Sequence, residues 1–106
     1  MISGEDRNIL NQFTERIRRH FPGARIWAFG SRVRGIAAWD SDLDVCIVLD
    51  HVDNKIDGLV RDIAWEVGFE KDLVISTIVL DSDQFENGPM SESSLVDNIL
   101  REGLTA

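Results

Sequence analysis

The sequence predicts an α/β (α+β) domain in which helices cover one face of a small mixed β-sheet. The 106 residues are enough for one hydrophobic core but not for two, so we expect a single domain over residues 1–106. Segments with apolar residues at helical spacing alternate with short runs rich in β-branched residues. Their order is helix, strand, turn or short helix, strand, helix, strand, helix, which favours helices packed on a sheet.

The N-terminal elements follow from one cap, one apolar face and a change of periodicity. Ser3 can cap a helix over Ser3–His20, and the Pro22-Gly23 pair stops it. The apolar residues of that helix share one face: Ile9, Leu10, Phe13 and Ile17. A short strand is predicted over Arg25–Phe29, and a short helix over Ser31–Gly35 follows the glycine that breaks the strand.

The C-terminal elements alternate in the same way. They are the strand Leu43–Leu49, the helix Asn54–Val67, the strand Leu73–Leu80, a turn region over residues 81–88, and the helix Ser91–Glu102. Ser91 is the predicted cap of the last helix, with Met90 and Leu95 positioned as a hydrophobic staple. Gly103 is its predicted end.

Charge and cysteine content exclude several classes of function. The net charge of -8 disfavours binding to nucleic acid, because neutralisation of phosphates drives such binding. Arginines are concentrated in the first third of the chain, which indicates a local anion site. No apolar stretch is long enough to span a membrane, and no secretion signal precedes the first helix. The single cysteine, Cys46, fits a reducing compartment, so a cytoplasmic location is expected.

Two acids stand at the head of the second strand. Asp42 and Asp44 are two residues apart, so their side chains project to the same side of an extended chain. Adjacent like charges repel, and a divalent cation offsets that repulsion directly. Mg²⁺ is commonly held by one or two carboxylates together with substrate phosphates. The alternative is a solvated loop acid followed by an exposed strand acid.

A glycine turn before these acids has the features of a phosphate site. Gly30 lets the backbone approach a phosphate closely, and Ser31 adds a hydroxyl at the start of a helix. Arg32 and Arg34 add positive charge suited to phosphate oxygens. An anion cradle and a metal-binding pair within one short segment indicate a nucleoside-triphosphate site. An ordinary turn is the alternative for the Gly-Ser pair taken alone.

A third carboxylate is a candidate to complete the site. Asp72 heads the third predicted strand, and it can face the same cleft if that strand lies beside the second. Group transfer on two metal ions needs further ligands or a base for the attacking hydroxyl. The alternative for Asp72 is a solvated acid at a strand edge, and Asp81 and Asp83 are weaker candidates because they follow the far end of that strand.

Gly30-Ser31, ten residues, and then Asp42-Leu43-Asp44 resemble the G-S-x10-D-x-D pattern of the DNA polymerase β-like nucleotidyltransferase superfamily. The chain is most similar to its minimal nucleotidyltransferase (MNT) domains, the antitoxins of HEPN/MNT toxin-antitoxin pairs. The resemblance implies a polymerase β-like palm fold, ATP as substrate and two Mg²⁺ ions as cofactor. It further implies transfer of AMP to a hydroxyl, typically that of a tyrosine, on a HEPN RNase toxin.

Residue roles also follow from the resemblance. It implies that Asp42, Asp44 and Asp72 bind metal and carry out catalysis, and that Gly30 and Ser31 hold the triphosphate. Two other interpretations remain open at this point: a related module that neutralises its toxin by contact alone, and a small-molecule nucleotidyltransferase. Either homo-oligomers or hetero-oligomers are compatible with the sequence.

Two tryptophans lie where apolar side chains are not expected. On the helix over residues 54–67, Trp65 points nearly opposite the apolar stripe, and Arg61, Asp62 and Glu66 flank it. Trp39 lies in the loop before the two acids. Each is expected to be exposed, either as an isolated apolar residue or as an anchor for a partner or a second copy of the chain.

Overall fold

The computed structural model describes residues 2–87 and 94–106. Its helices are α1 (Gly4–His20), α2 (Ser31–Arg34), α3 (Asn54–Lys71), α4 (Ser82–Glu86) and α5 (Ser94–Glu102). Its strands are β1 (Arg25–Phe29), β2 (Leu43–Leu49), β3 (Ile75–Asp81) and β4 (Leu104–Thr105). Within the described ranges, no helix combines the length and the apolar character that a membrane crossing requires.

The strands form one mixed sheet, as predicted. Their order is β3-β2-β1-β4, with β2 parallel to β3 and β1 antiparallel to both β2 and β4. The central strand β2 therefore has a neighbour on each side. Across it, Asp44 lies opposite Phe29 of β1 and opposite Ser76 of β3.

Helices pack on both faces of the sheet. Leu43, Val45 and Ile47 of β2 share a core with α1 and α3, which cover one face. The sequence predicted helices on one face only. Cys46 and Val48 point to the other face and share a second core with residues of α4 and α5. The run from Val45 to Leu49 is apolar at every position and buried throughout, so β2 requires cover on both sides. Burial raises the pKa of the Cys46 thiol to about 11.

The third strand begins two residues later than predicted, because α3 continues to Lys71. Asp72 ends that helix in the left-handed conformation, with φ of 54° and ψ of 45°, and its N–H donates to the Phe69 carbonyl. The Leu73 N–H donates to the Gly68 carbonyl, and a Cβ on Gly68 would lie only 2.3 Å from the Leu73 oxygen. The chain thus turns sharply under Gly68 before it enters β3.

Two elements near the C-terminus add to the predictions. The predicted turn region contains α4, whose capping box joins Asp81 and Gln84; a five-residue helix is too short to show a helical period. Strand β4 follows α5 and pairs with Trp27 and Ala28 of β1. The predicted Ser91 cap and Met90 staple lie outside the described residues.

Candidate functional site

Asp42 and Asp44 lie at the N-terminal end of the central strand β2. Asp44 is half-buried within the strand, and Asp42 is exposed immediately before it. Strand alternation directs Asp44 to the face opposite α1 and α3. Burial and, to a smaller extent, the charge of Asp42 raise the pKa of Asp44. The two carboxylates therefore form an electrostatically unfavourable pair that a cation would relieve.

The Asp44 carboxylate packs directly against the backbone of Gly30, and we call this contact the acid seat. The φ of 82° and ψ of -162° of Gly30 lie in a region that is essentially restricted to glycine. A Cβ on Gly30 would lie 2.3 Å from Oδ2 of Asp44, well inside the contact distance. Sequence reasoning required this glycine for close approach to a phosphate, and the structure adds that only glycine leaves room for the acid beside it.

Ser31 and Arg34 lie on α2, directly after this seat. Ser31 is the first residue of α2, and Gly30, which precedes it, provides no side chain to cap the helix. Gly35 ends α2 in the left-handed conformation with φ of 77°. Arg34 is exposed, and no ion pair of its guanidinium is found within residues 2–87 and 94–106. A serine hydroxyl and an exposed arginine therefore follow Gly30, and their roles toward a phosphate stay predictions.

Arg32 has a different environment from the one predicted. Its Nη1 donates to both carboxylate oxygens of Asp6 at 3.1 Å, and its side chain and that of Asp6 are only 13% and 10% exposed. Nε donates to the Ser41 carbonyl at 2.6 Å, and Nη2 donates to the Trp39 carbonyl at 2.8 Å. The guanidinium thus ties α1 to the loop that leads into Asp42, and it positions that loop instead of presenting a free cation for a phosphate.

Asp72 is not brought beside the two acids. It caps the end of α3, before β3 begins, and the residue of β3 that lies opposite Asp44 is Ser76. Among the described residues, no group of three or more His, Cys, Asp or Glu side chains could hold a metal ion. The prediction failed because it started β3 at Leu73, where the chain is still turning. Only the strand register identifies Ser76 as the β3 residue opposite Asp44, and that register depends on where α3 ends.

The donor set fits a hard divalent cation. The Asp42 and Asp44 carboxylates are close enough to interact electrostatically, and Mg²⁺ binds such oxygens together with phosphate oxygens and water. Gly30 keeps the space beside Asp44 free of side chain. The arrangement can therefore hold a metal–triphosphate complex between two carboxylates and the start of α2.

Comparison with known proteins identifies the family of this domain. A family described as "Nucleotidyltransferase domain" matches residues 10–104. The "Probable protein adenylyltransferase MntA" of Haemophilus influenzae (strain ATCC 51907 / DSM 11121 / KW20 / Rd) is 42% identical over 60 residues, which are 57% of this chain and 50% of that protein. The match thus spans about half the length of the curated relative.

Solved structures share the fold. A toxin-antitoxin crystal structure with AMP-PNP superposes with a TM-score of 0.57 at 20% identity, over 97% of this chain and 72% of that chain. A mutant of the toxin-antitoxin MntA-HpeT gives a TM-score of 0.56 at 19% identity, over 90% of this chain and 69% of that chain. At such identities the likeness concerns the fold, and it confirms the predicted fold class.

Proposed function

Because the chain belongs to the nucleotidyltransferase domain family, we propose that it is an Mg²⁺-dependent protein adenylyltransferase of the cytoplasm, which transfers AMP from ATP to a partner protein. The observation that carries the proposal is the seating of Asp44 against Gly30, with Asp42 and the start of α2 beside it. This arrangement would combine metal ligands and a phosphate cradle in one place.

Each residue has a proposed role. Asp42 and Asp44 would hold Mg²⁺, and Gly30, Ser31 and Arg34 would receive the triphosphate. When bound, Mg²⁺ neutralises charge on the phosphates and orients them. In the transfer, the acceptor hydroxyl oxygen bonds to the α-phosphorus, the bond to the leaving diphosphate breaks, and the hydroxyl proton is released to solvent.

The proposed acceptor is a HEPN-type RNase toxin, modified on a tyrosine and thereby neutralised. Support for a toxin comes from the names of the relatives, which include a protein adenylyltransferase and two toxin-antitoxin structures. Support for a protein acceptor comes from the acidic surface, since a net charge of -8 disfavours nucleic acid.

Transfer of label from ATP tests the proposal. The chain is co-expressed and purified with the protein encoded beside it, and the complex is incubated with Mg²⁺ and ATP labelled at the α-phosphate. We expect label on a tyrosine of the partner, with loss of the partner's RNase activity. The matched variant Asp42→Asn, which keeps the side-chain shape but not the charge, should transfer no label.

Three results would contradict the proposal. A tight complex that neutralises the partner without label would identify a module that acts by contact. Label recovered only on a small hydroxylated compound would identify a small-molecule nucleotidyltransferase. Label placed equally by the wild type and by Asp42→Asn would remove these carboxylates from the reaction.

A further inference from the structure

An exposed aromatic groove lies at the end of the sheet that carries Asp42. Trp65 and Phe69 of α3 stack with ring centroids 5.1 Å apart and an interplanar angle of 13°, and they are 67% and 74% exposed. Trp39, 91% exposed, faces them from the loop before β2. Together with Val74 these side chains line a groove of about 550 Å³. The two tryptophans that the sequence predicts to be exposed thus belong to one surface.

The groove is not accounted for by the core. Val60, Ala64 and Val67 of α3 are buried against the sheet, whereas Trp65 and Phe69 occupy the opposite side of the helix. Leaving several large apolar side chains exposed together is costly in water, and such patches mark interaction sites. Aromatic side chains with few rotatable bonds are also the residues that most often anchor protein interfaces.

Charge at the groove selects the occupant. Arg61 lines it, but its guanidinium is paired with Asp57 one turn away. Asp40 and Asp72 also line it, and no ion pair of either carboxylate is found within the described ranges. The groove therefore has an apolar floor and a net negative rim. Such a surface repels phosphates and a second acidic copy of this chain, and it complements a segment with apolar and basic side chains.

We propose that the Trp39–Trp65–Phe69 groove is the docking surface for a basic, apolar segment of the protein that accepts AMP. This inference rests on the proposed function, and it names the site and the chemistry of recognition. Trp39 lies three residues before Asp42, and Arg32 holds the Trp39 and Ser41 carbonyls in place. A segment in the groove is thereby held beside the carboxylates by a rigid part of the loop.

Two synthetic amphipathic peptides test the chemistry without any transfer reaction. They share one leucine face, and the polar face carries arginine in one peptide and glutamate in the other. We expect calorimetry to detect binding of the arginine peptide alone, and acrylamide quenching of tryptophan emission to decrease in its presence. Binding should weaken at high salt, because the rim charges are exposed.

Matched variants locate the binding. Trp65→Ala and Phe69→Ala should each weaken binding of the arginine peptide by about thirtyfold, as expected for central aromatic anchors. Asp40→Asn should reduce the preference for the arginine peptide. Two controls should bind as the wild type does: Leu100→Ala, which removes an exposed apolar side chain on α5, and Glu5→Gln, which removes an exposed charge on α1.

Four results would overturn the inference. The first is equal binding of both peptides, and the second is unchanged binding of the arginine peptide by the groove variants. The third is protection of Trp39 and Trp65 from acrylamide quenching by ATP alone. The fourth is a dimer of this chain that Trp65→Ala dissociates. The third would identify a nucleoside site and the fourth a self-association surface. Because peptide binding requires neither ATP nor transfer, failure of this inference is distinguishable from failure of the proposed function.

Discussion

Replacing Arg32 by methionine should lower the free energy of unfolding, so that the protein unfolds at lower urea concentrations. Arg32→Met leaves the Asp6 carboxylate, whose side chain is only 10% exposed, without its partner. Removing one partner of a buried ion pair costs about 3–5 kcal/mol, because the remaining charge stays desolvated. That is a large part of the roughly 5–15 kcal/mol by which a domain is stable.

Urea unfolding followed by circular dichroism measures this loss. The double variant Asp6→Leu/Arg32→Met should recover at least about 2 kcal/mol relative to Arg32→Met, because no charge is then buried. Arg34→Met is the matched control, since Arg34 is exposed and belongs to the predicted phosphate cradle. Its free energy of unfolding should change by less than about 0.5 kcal/mol, while its affinity for ATP should fall.

The same variants separate a positioning role from a binding role. The double variant, once folded, should lose less affinity for ATP than Arg34→Met does, because the Arg32 donors face Asp6, Trp39 and Ser41 and act on the site only through the loop. The reasoning is refuted if Arg32→Met is as stable as the wild type and weakens ATP binding as much as Arg34→Met does.

Three further predictions concern the acid seat. Gly30→Ala should lower the free energy of unfolding by about 1–3 kcal/mol. The control Gly58→Ala, which lies in open space within α3, should raise it by about 0.5–1 kcal/mol. Equal urea midpoints for the two variants would contradict the clash with Asp44. The raised pKa of Asp44 means that the native state binds more protons than the unfolded state between the ordinary value of 3.8 and the native pKa, so stability falls as pH rises through that window. Asp44→Asn should abolish that fall and, with a chelator present, melt no lower than the wild type at neutral pH; a melting temperature several degrees lower would make the acid structural. Ser76→Asp should strengthen Mn²⁺ binding, measured by calorimetry, by at least about tenfold, because it adds a charged ligand opposite Asp44. Asp72→Asn should leave Mn²⁺ binding unchanged. The reverse pattern would show that Asp72 is a metal ligand.

Much of the fold could be predicted because its signals are local. Ser3 caps α1 as expected, with its hydroxyl oxygen accepting from the Asp6 N–H at 3.0 Å. The β-branched run of β2 and the helical period of α3 each identify one element without reference to the rest of the chain. The mixed sheet then follows from the order of these elements.

Side-chain partners could not be predicted, because they depend on distances between segments far apart in sequence. Arg32 and Asp6 are 26 residues apart, and nothing in the sequence around either residue indicates their ion pair. The position of Asp72 depended on a helix end that neither proline nor glycine marks. The same error hid Phe69, which lies beyond the predicted end of the helix and stacks on Trp65. The proposed roles of Asp42, Asp44 and Ser31 remain predictions that the experiments above address.

The two-sided burial of β2 has a consequence for folding during synthesis. The fully buried residues of the core shared with α1 and α3 are all made by the time β3 begins, so that core can form early. Cys46 and Val48 on the other face are covered by Val96 and Ile99 of α5, which are made only after β3 is complete. A partly synthesised chain therefore exposes an apolar strip in the middle of its sheet, and such strips promote aggregation. We expect ribosome-bound chains that end before α5 to recruit chaperones, and release from them to coincide with the arrival of that helix.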